Sequence, residues 1–334
     1  MIDYRITEER YVYFDKLYEM NLMYGVMPGL VYLYMPALAE RYEWDDDQKL
    51  WFCFLNGLTQ NPITSFKIMC VLPEVPPAGA QLTKFTTWFN DEWGSLQFDT
   101  DRRYQKKDTV EAIKVYANLV AEHGTQKKML SDKPYKDLWK LVRDRYLSFG
   151  RLSSFSYLEY VYLNGFGADC DDLLFEDKSG SKSHRNGMLF LLGCDNLVWD
   201  KRLDNGFNGE YENFNKMCSW LTDKSHDFMN GFKETHPHLL DANKFTLESN
   251  LCTFKNHFFG HRYPGVYADM AWERIEWADT RDQQSFTEVF KEIRAGSLPP
   301  WLREECNNGS RMTIKQKAAR FPEIGYPFRG EFFL

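Results

Sequence analysis

The stretch TVEAIKVYANLVAE, Thr109–Glu122, decides the fold class. Its apolar residues Val110, Ile113, Val115 and Leu119 return about every three or four positions, the spacing of one face of a helix rather than the alternation of a strand. The same period recurs upstream in Glu8–Tyr24, Pro28–Arg41 and Asp47–Leu55. Downstream it recurs in Tyr135–Tyr162, Gly187–Leu192, Asn208–Leu221, Leu247–Phe258, Tyr267–Trp277 and Ser285–Ala295. Asp45, Asp46 and Asp47 place carboxylates where a helix start favours them, and Pro62 with Thr64 and Ser65 reads as a loop feeding a new helix. Pro73–Gly79 and Asp177–His184 read as loops by their Pro, Gly and Ser content. The spacing predicts a mainly α protein: one helical unit over residues 1–334, with two lobes around a cleft.

Composition narrows the function classes. With 43% hydrophobic and 27% charged residues over 334 positions, the chain has the material for a core and is not a disordered segment. Its 26 Phe, 19 Tyr and 10 Trp are mostly core by expectation, but any ring left at a surface can stack on a flat ligand such as a base. The net charge of −7 argues against an all-over basic coat, yet residues 102–151 carry 13 Lys/Arg against 6 Asp/Glu, a local field a polyanion would feel. A solvated helix face is the alternative explanation of that run. No apolar stretch approaches the roughly 20 residues needed to span a bilayer, and the first ten residues read as lacking a signal peptide. Seven scattered cysteines look like reduced thiols. No CxxC pair, GxxxxGK[ST], GxGxxG or GxSxG occurs, so zinc-ribbon, nucleotide-hydrolase, Rossmann and serine-esterase chemistry lack support. His257 and His261 sit at i,i+4 spacing, without the Glu that a metalloprotease helix requires.

Four polar clusters interrupt the apolar helices. Asn56, Gln60 and Asn61 follow an aromatic helix and offer amide donors and acceptors to a base edge or a carboxylate, with helix capping by Asn56 and Gly57 as the alternative. Arg151, Phe155 and Glu159 fall on one i,i+4 ridge beside Tyr157, a cation, ring and carboxylate in line, which a structural Arg–Glu pair would also produce. Ser183, His184 and Arg185 precede an apolar helix and suit a phosphate at its N-terminus, or ordinary capping, with Asp195 just beyond. Lys255, Arg262, Tyr263 and Asp269 cluster around the turn Pro264-Gly265, where Asp269 also reads as an N-cap.

In order along the chain, LNGLTQNPITS, GRLSSFSYLEY, SHRNGM and LCTFKNHFFGHRYPGVYADM resemble the phage amino acid:DNA transferases, grouped with the alpha-glutamyl/putrescinyl-thymine pyrophosphorylases. The likeness runs from about Leu55 to Met270, and the RYPG segment with its later Asp is the most specific part. It implies a DNA-glycosylase-like fold acting on double-stranded DNA that carries modified uracil, in the cytoplasm of a phage-infected bacterial host. The implied reaction takes 5-pyrophosphoryloxymethyl-uracil and replaces pyrophosphate with the amine of a free amino acid or polyamine, giving a hypermodified thymine that protects phage DNA. The sequence lacks the LPGVG-type hairpin of base-excision glycosylases, which puts glycosidic cleavage in doubt and fits transfer at the exocyclic carbon.

On this reading the base is flipped out of the stack, at a cost of about a few kcal/mol. Phe155, Tyr157 and Tyr263 are the candidate stacking rings. Arg151, Arg185, Lys255 and Arg262 would stabilise the departing pyrophosphate. Glu159, Asp195 or Asp269 would take the proton of the incoming ammonium. Asn56, Gln60 and Asn61 would hold the uracil edge or the amino-acid carboxylate. No residue is assigned to a metal, and a divalent ion is optional rather than required. Competing readings are a glycosylase-like enzyme that removes a modified base and a non-catalytic DNA-binding protein.

Overall fold

The computed structural model describes residues 2–177, 182–198, 211–281, 283–307 and 313–318. It is 71% helix, and no strand occurs among the described residues. The α-helices run α1 Arg10–Tyr24, α2 Val31–Arg41, α3 Asp46–Thr59, α4 Pro62–Val71, α5 Thr83–Asp91, α6 Thr109–His123, α7 Gln126–Leu130, α8 Tyr135–Arg145, α9 Arg151–Leu163, α10 Lys182–Leu191, α11 Tyr211–Thr235, α12 Lys244–His257, α13 Val266–Asp279, α14 Gln284–Ser297 and α15 Pro300–Asn307. They sort into two compact units. The first comprises Met1–Met27, Cys170–Met270 and Leu298–Leu334; the second comprises Pro28–Asp169 and Ala271–Ser297.

The first unit is organised by the contact of α10 with α12. A Cβ on Gly187 would lie 2.1 Å from the Leu251 carbonyl oxygen, so the two backbones cross where no side chain fits. On the other side α1 packs its Phe14 and Tyr18 against Phe228 and Phe232 of α11 and Phe254 of α12. Buried polar groups pin the register: Asn21 donates to Asn250 at 2.6 Å, and the Tyr18 and Thr246 hydroxyls meet at 2.6 Å.

In the second unit α3 is the central helix, buried over every residue from Leu50 to Thr59. Asp45 and Gln48 form its capping box. Phe54 stacks on Tyr116 at 3.9 Å and on Phe149 at 5.5 Å, and the Tyr157 hydroxyl is hydrogen-bonded to those of Tyr116 and Tyr146.

Several sequence expectations are corrected. Asn56 and Gly57 do not cap α3, which continues to Thr59 and ends on Gln60 in the left-handed region at φ 55°. Gly57 serves close packing instead, since a Cβ there would meet Phe149 at 3.1 Å and Tyr157 at 3.2 Å. The long helix expected over Tyr135–Tyr162 is two helices, broken at 146–150 where Ser148 takes φ 63°. The expected Asp177–His184 loop is shorter, because α10 already begins at Lys182. In α6 the buried set includes Ala112, Ile113, Tyr116 and Leu119, while Val110 and Val115 are only half-buried.

Part of the basic run at 102–151 is internal. Arg102 is buried and donates to the carbonyls of Leu58 at 3.0 Å and Ser148 at 2.6 Å. Lys106 donates to Leu96 O at 2.7 Å, and burial pulls its pKa down to about 8. Thr7–Arg41 is apolar and long enough by composition to cross a membrane. It is nevertheless two helices interrupted at Gly25, φ 63°, and 67% of its most apolar window is buried.

Candidate functional site

The first unit brings the third and fourth clusters together. After α12 the chain turns through Gly260 at φ 63° and Gly265 at φ 76°, left-handed conformations that favour glycine, and enters α13 at Val266. Asp269 therefore lies in the first turn of α13 rather than at its N-cap. The Tyr263 phenol donates to Asp269 Oδ2 at 2.7 Å, and Lys317 Nζ pairs with the same oxygen at 2.6 Å. All three side chains are buried.

That triad fastens two walls of a cleft of about 460 Å³ lined by Ser183, Lys255, His261, Arg262, Lys315 and Ala318, among others. Tyr263 follows Arg262 directly, and Lys317 lies between Lys315 and Ala318. Lys255 is mostly buried, with its ammonium 4.5 Å from the centre of the Phe259 ring; Arg262 sits 6.0 Å over Tyr267 and donates to His261 O at 2.8 Å. Beneath them His257 is fully buried. Desolvation, reinforced by the charge of Arg262 and opposed by a hydrogen bond that the ring donates to the Tyr263 backbone, pulls its pKa down to about 3. The imidazole is thus neutral near pH 7, and the positive charge of the cleft rests on Lys255, Arg262 and Lys315. This arrangement can hold a multiply charged anion.

The other candidates of this unit have different partners. Arg185 is buried in the first turn of α10, donates to Phe175 O at 2.8 Å and lies 5.1 Å over the Phe214 ring. Asp195 forms a two-pronged pair with the buried Arg10, at 2.5 and 3.0 Å, and thereby ties the loop after α10 to α1. Tyr263 is buried at 1% exposure, so its ring belongs to the packing under the cleft and is not an open stacking face.

The second unit gathers the first two clusters. Asn56 Nδ2 donates to Gly29 O at 3.3 Å and Asn56 Oδ1 accepts from Ser65 at 3.2 Å. Gly29 is required there, because a Cβ would lie 1.9 Å from the Tyr160 hydroxyl. Tyr160 donates to Gln60 Oε1 at 3.4 Å, while the buried Gln60 Nε2 has no hydrogen-bond partner among the described residues. Asn61 caps α4 through Thr64 N and reaches Gln97 and Asp99, each at 3.3 Å. On α9 the ridge is real: the Arg151 guanidinium lies 5.7 Å over Phe155, and the buried Glu159 accepts from Tyr32 at 3.4 Å. Tyr157, at 0% exposure and hydrogen-bonded to two tyrosines, is a core ring rather than a stacking surface. Burial similarly places Phe155 in the core, at 2% exposure.

Sequence reasoning missed the ion pair that organises this network, Arg274 with Asp99 at 2.5 Å, both nearly buried. Arg274 also donates to Gln60 O at 3.3 Å. Desolvation raises the Asp99 pKa above the usual carboxylate range even against the opposing pull of Arg274. The pair joins positions 175 residues apart, and no local pattern marks it. A cleft of about 350 Å³ in this unit is lined by Asp45, Asp47 and Glu74 among others, a sign that disfavours phosphate.

Among characterised families, the model described as amino acid:DNA transferase matches residues 32–263 of this chain. A serinyltransferase of Salmonella phage ViI is 26% identical over 303 residues, covering 84% of this chain and 71% of the relative. No solved structure matches.

Proposed function

The chain belongs to the amino acid:DNA transferase family, and from that premise we propose that it transfers the amine of a free amino acid onto 5-pyrophosphoryloxymethyl-uracil in duplex DNA, releasing pyrophosphate, in the cytoplasm of a phage-infected bacterium. The carbon–oxygen bond to pyrophosphate breaks, a carbon–nitrogen bond forms at the exocyclic methylene, and the nitrogen loses a proton. The observation that carries the reading is the basic cleft of the first unit, where Lys255, Arg262 and Lys315 converge on a space large enough for a pyrophosphate. There they would offset the charge that develops on the leaving oxygen.

In this reading Asp269 is a positioning residue that holds the Tyr263 turn and the Lys317 segment together. Asp195 is structural, given its pairing with Arg10. Glu159, Asn56, Gln60 and Asn61 form a buried polar network of the second unit and are given no step at the cleft of the first. The transfer product would be a hypermodified thymine, consistent with evasion of host nucleases. Serine, named in the activity of the phage ViI relative, is the first amine to offer.

The test is incubation of the purified chain with DNA bearing pyrophosphoryloxymethyl-uracil and a mixture of amino acids, followed by nucleoside mass spectrometry. Expected are one new nucleoside and an equal amount of free pyrophosphate. Abasic sites without a new nucleoside would favour base removal instead, and unchanged DNA with intact binding would leave only a DNA-binding role.

A further inference from the structure

We propose that His184, Glu248 and Cys252 form a binding site for one transition-metal dication of the zinc class at the crossing of α10 and α12. Gly187 and Leu251 mark the point of closest backbone approach. His184 lies three residues before the first and Glu248 three before the second, so the crossing brings those side chains face to face. His184 Nδ1 is 3.1 Å from Glu248 Oε1, and both side chains are buried. Cys252, one helical turn after Glu248 on α12, is half-buried and adds a sulfur, so that all three donor atoms lie within 4.8 Å of one another.

The tautomer follows from the other ring nitrogen. His184 Nε2 is 2.8 Å from Leu173 O, a carbonyl that can only accept, so Nε2 carries a proton and donates. In the neutral imidazole Nδ1 then presents a lone pair on the side of the Glu248 carboxylate, and in the imidazolium it donates to that carboxylate. A backbone carbonyl fixing the far ring nitrogen is the usual support of a metal-bound histidine. With metal–ligand bonds of about 2.0–2.3 Å, tetrahedral donors stand roughly 3.3–3.8 Å apart, so closing this trio by about 1 Å suffices.

Donor chemistry selects the ion. Imidazole and thiolate favour zinc, cobalt or iron over magnesium or calcium, which take oxygen ligands. Thiolate plus carboxylate neutralise a dication, removing the cost of a net buried charge. Loading breaks the Cys252 S–H bond, and the Nδ1–H bond where the ring is protonated; metal–sulfur, metal–nitrogen and metal–oxygen bonds form, the protons go to water and no electron moves. Three protein ligands leave a fourth position open. Ser183 and Asn256, which line the basic cleft, are one residue from His184 and one turn from Cys252, respectively.

The test uses the whole chain, stripped with chelator and titrated with cobalt(II). One equivalent should bind, give a thiolate-to-cobalt charge-transfer band and be displaced by zinc. Cys252→Ser should abolish the band and weaken cobalt binding at least about tenfold, as should His184→Gln. Cys218→Ser, away from the trio on α11, should keep both, and circular dichroism checks that each variant is folded. If folded Cys252→Ser retains the band, or the chain holds no more cobalt than that variant, the trio is a buried hydrogen-bonded cluster and the proposal is wrong. Neither DNA nor amine enters the readout, so this outcome is independent of whether transfer occurs.

Discussion

Asp269→Asn should destabilise the first unit and loosen its cleft together. Lys317 is nearly buried and pairs with Asp269 Oδ2 at 2.6 Å. Removing the carboxylate charge strands a buried ammonium, and breaking such a pair from one side costs about 3–5 kcal/mol. Asparagine still accepts the Tyr263 hydrogen bond, so the loss should fall near about 3 kcal/mol. Lys317→Met removes the stranded charge, and the double variant should recover about 2 kcal/mol relative to the sum of the single changes. Urea unfolding of the four species gives the coupling, and titration with pyrophosphate should show weaker binding in Asp269→Asn because Lys315 is no longer held at the cleft. Additivity of the two substitutions within about 0.5 kcal/mol would refute the clamp.

Gly187→Ala should cost about 1–3 kcal/mol or more by forcing α10 off α12, whereas Gly150→Ala, with open space around its Cβ, should be near neutral in the same unfolding assay. His257 has a pKa of about 3 in the folded chain against 6.5 unfolded; between those values the unfolded state binds the extra proton, so its contribution to stability is complete above pH 6.5 and declines as pH falls, by up to about 1.4 kcal/mol per unit. His257→Gln should flatten that part of the stability–pH curve. Arg262→Ala should weaken DNA binding and lower the salt slope by about one, while Tyr157→Phe should leave binding unchanged and alter only stability; the opposite pattern in a fluorescence-anisotropy titration would reverse the placement of these two residues.

Helix identity was legible wherever a period repeated over several turns, as in α1, α6, α12 and α14. Several boundaries were not: the expected Tyr135–Tyr162 helix is two, and α3 runs past Leu55 to Thr59. Gly57 looks like a stop signal, but in the folded chain it lets Phe149 and Tyr157 approach α3, a packing requirement that the neighbouring letters do not carry. The polar clusters were visible as interruptions of apolar pattern, and Lys255 and Arg262 do line one cleft. Which unit each cluster joins was not visible, since 170–270 packs with 1–27 while 28–169 packs with 271–297. Arg274, Lys317 and Asp99 escaped notice for the same reason: each acquires its meaning from a partner more than forty residues away. Rings such as Tyr157 were overvalued because a buried tyrosine and a base-stacking tyrosine look alike in sequence.

The proposed reaction joins an amine to an activated pyrimidine in DNA. Mass spectrometry of nucleosides from pyrophosphoryloxymethyl-uracil DNA, incubated with the chain and isotopically labelled serine or other amino acids, tests it most directly. Expected is a labelled thymine derivative formed mole for mole with pyrophosphate, and greatly reduced in Arg262→Ala. Complete recovery of the starting nucleoside, under conditions where the chain binds that DNA and with every amine offered, would contradict it.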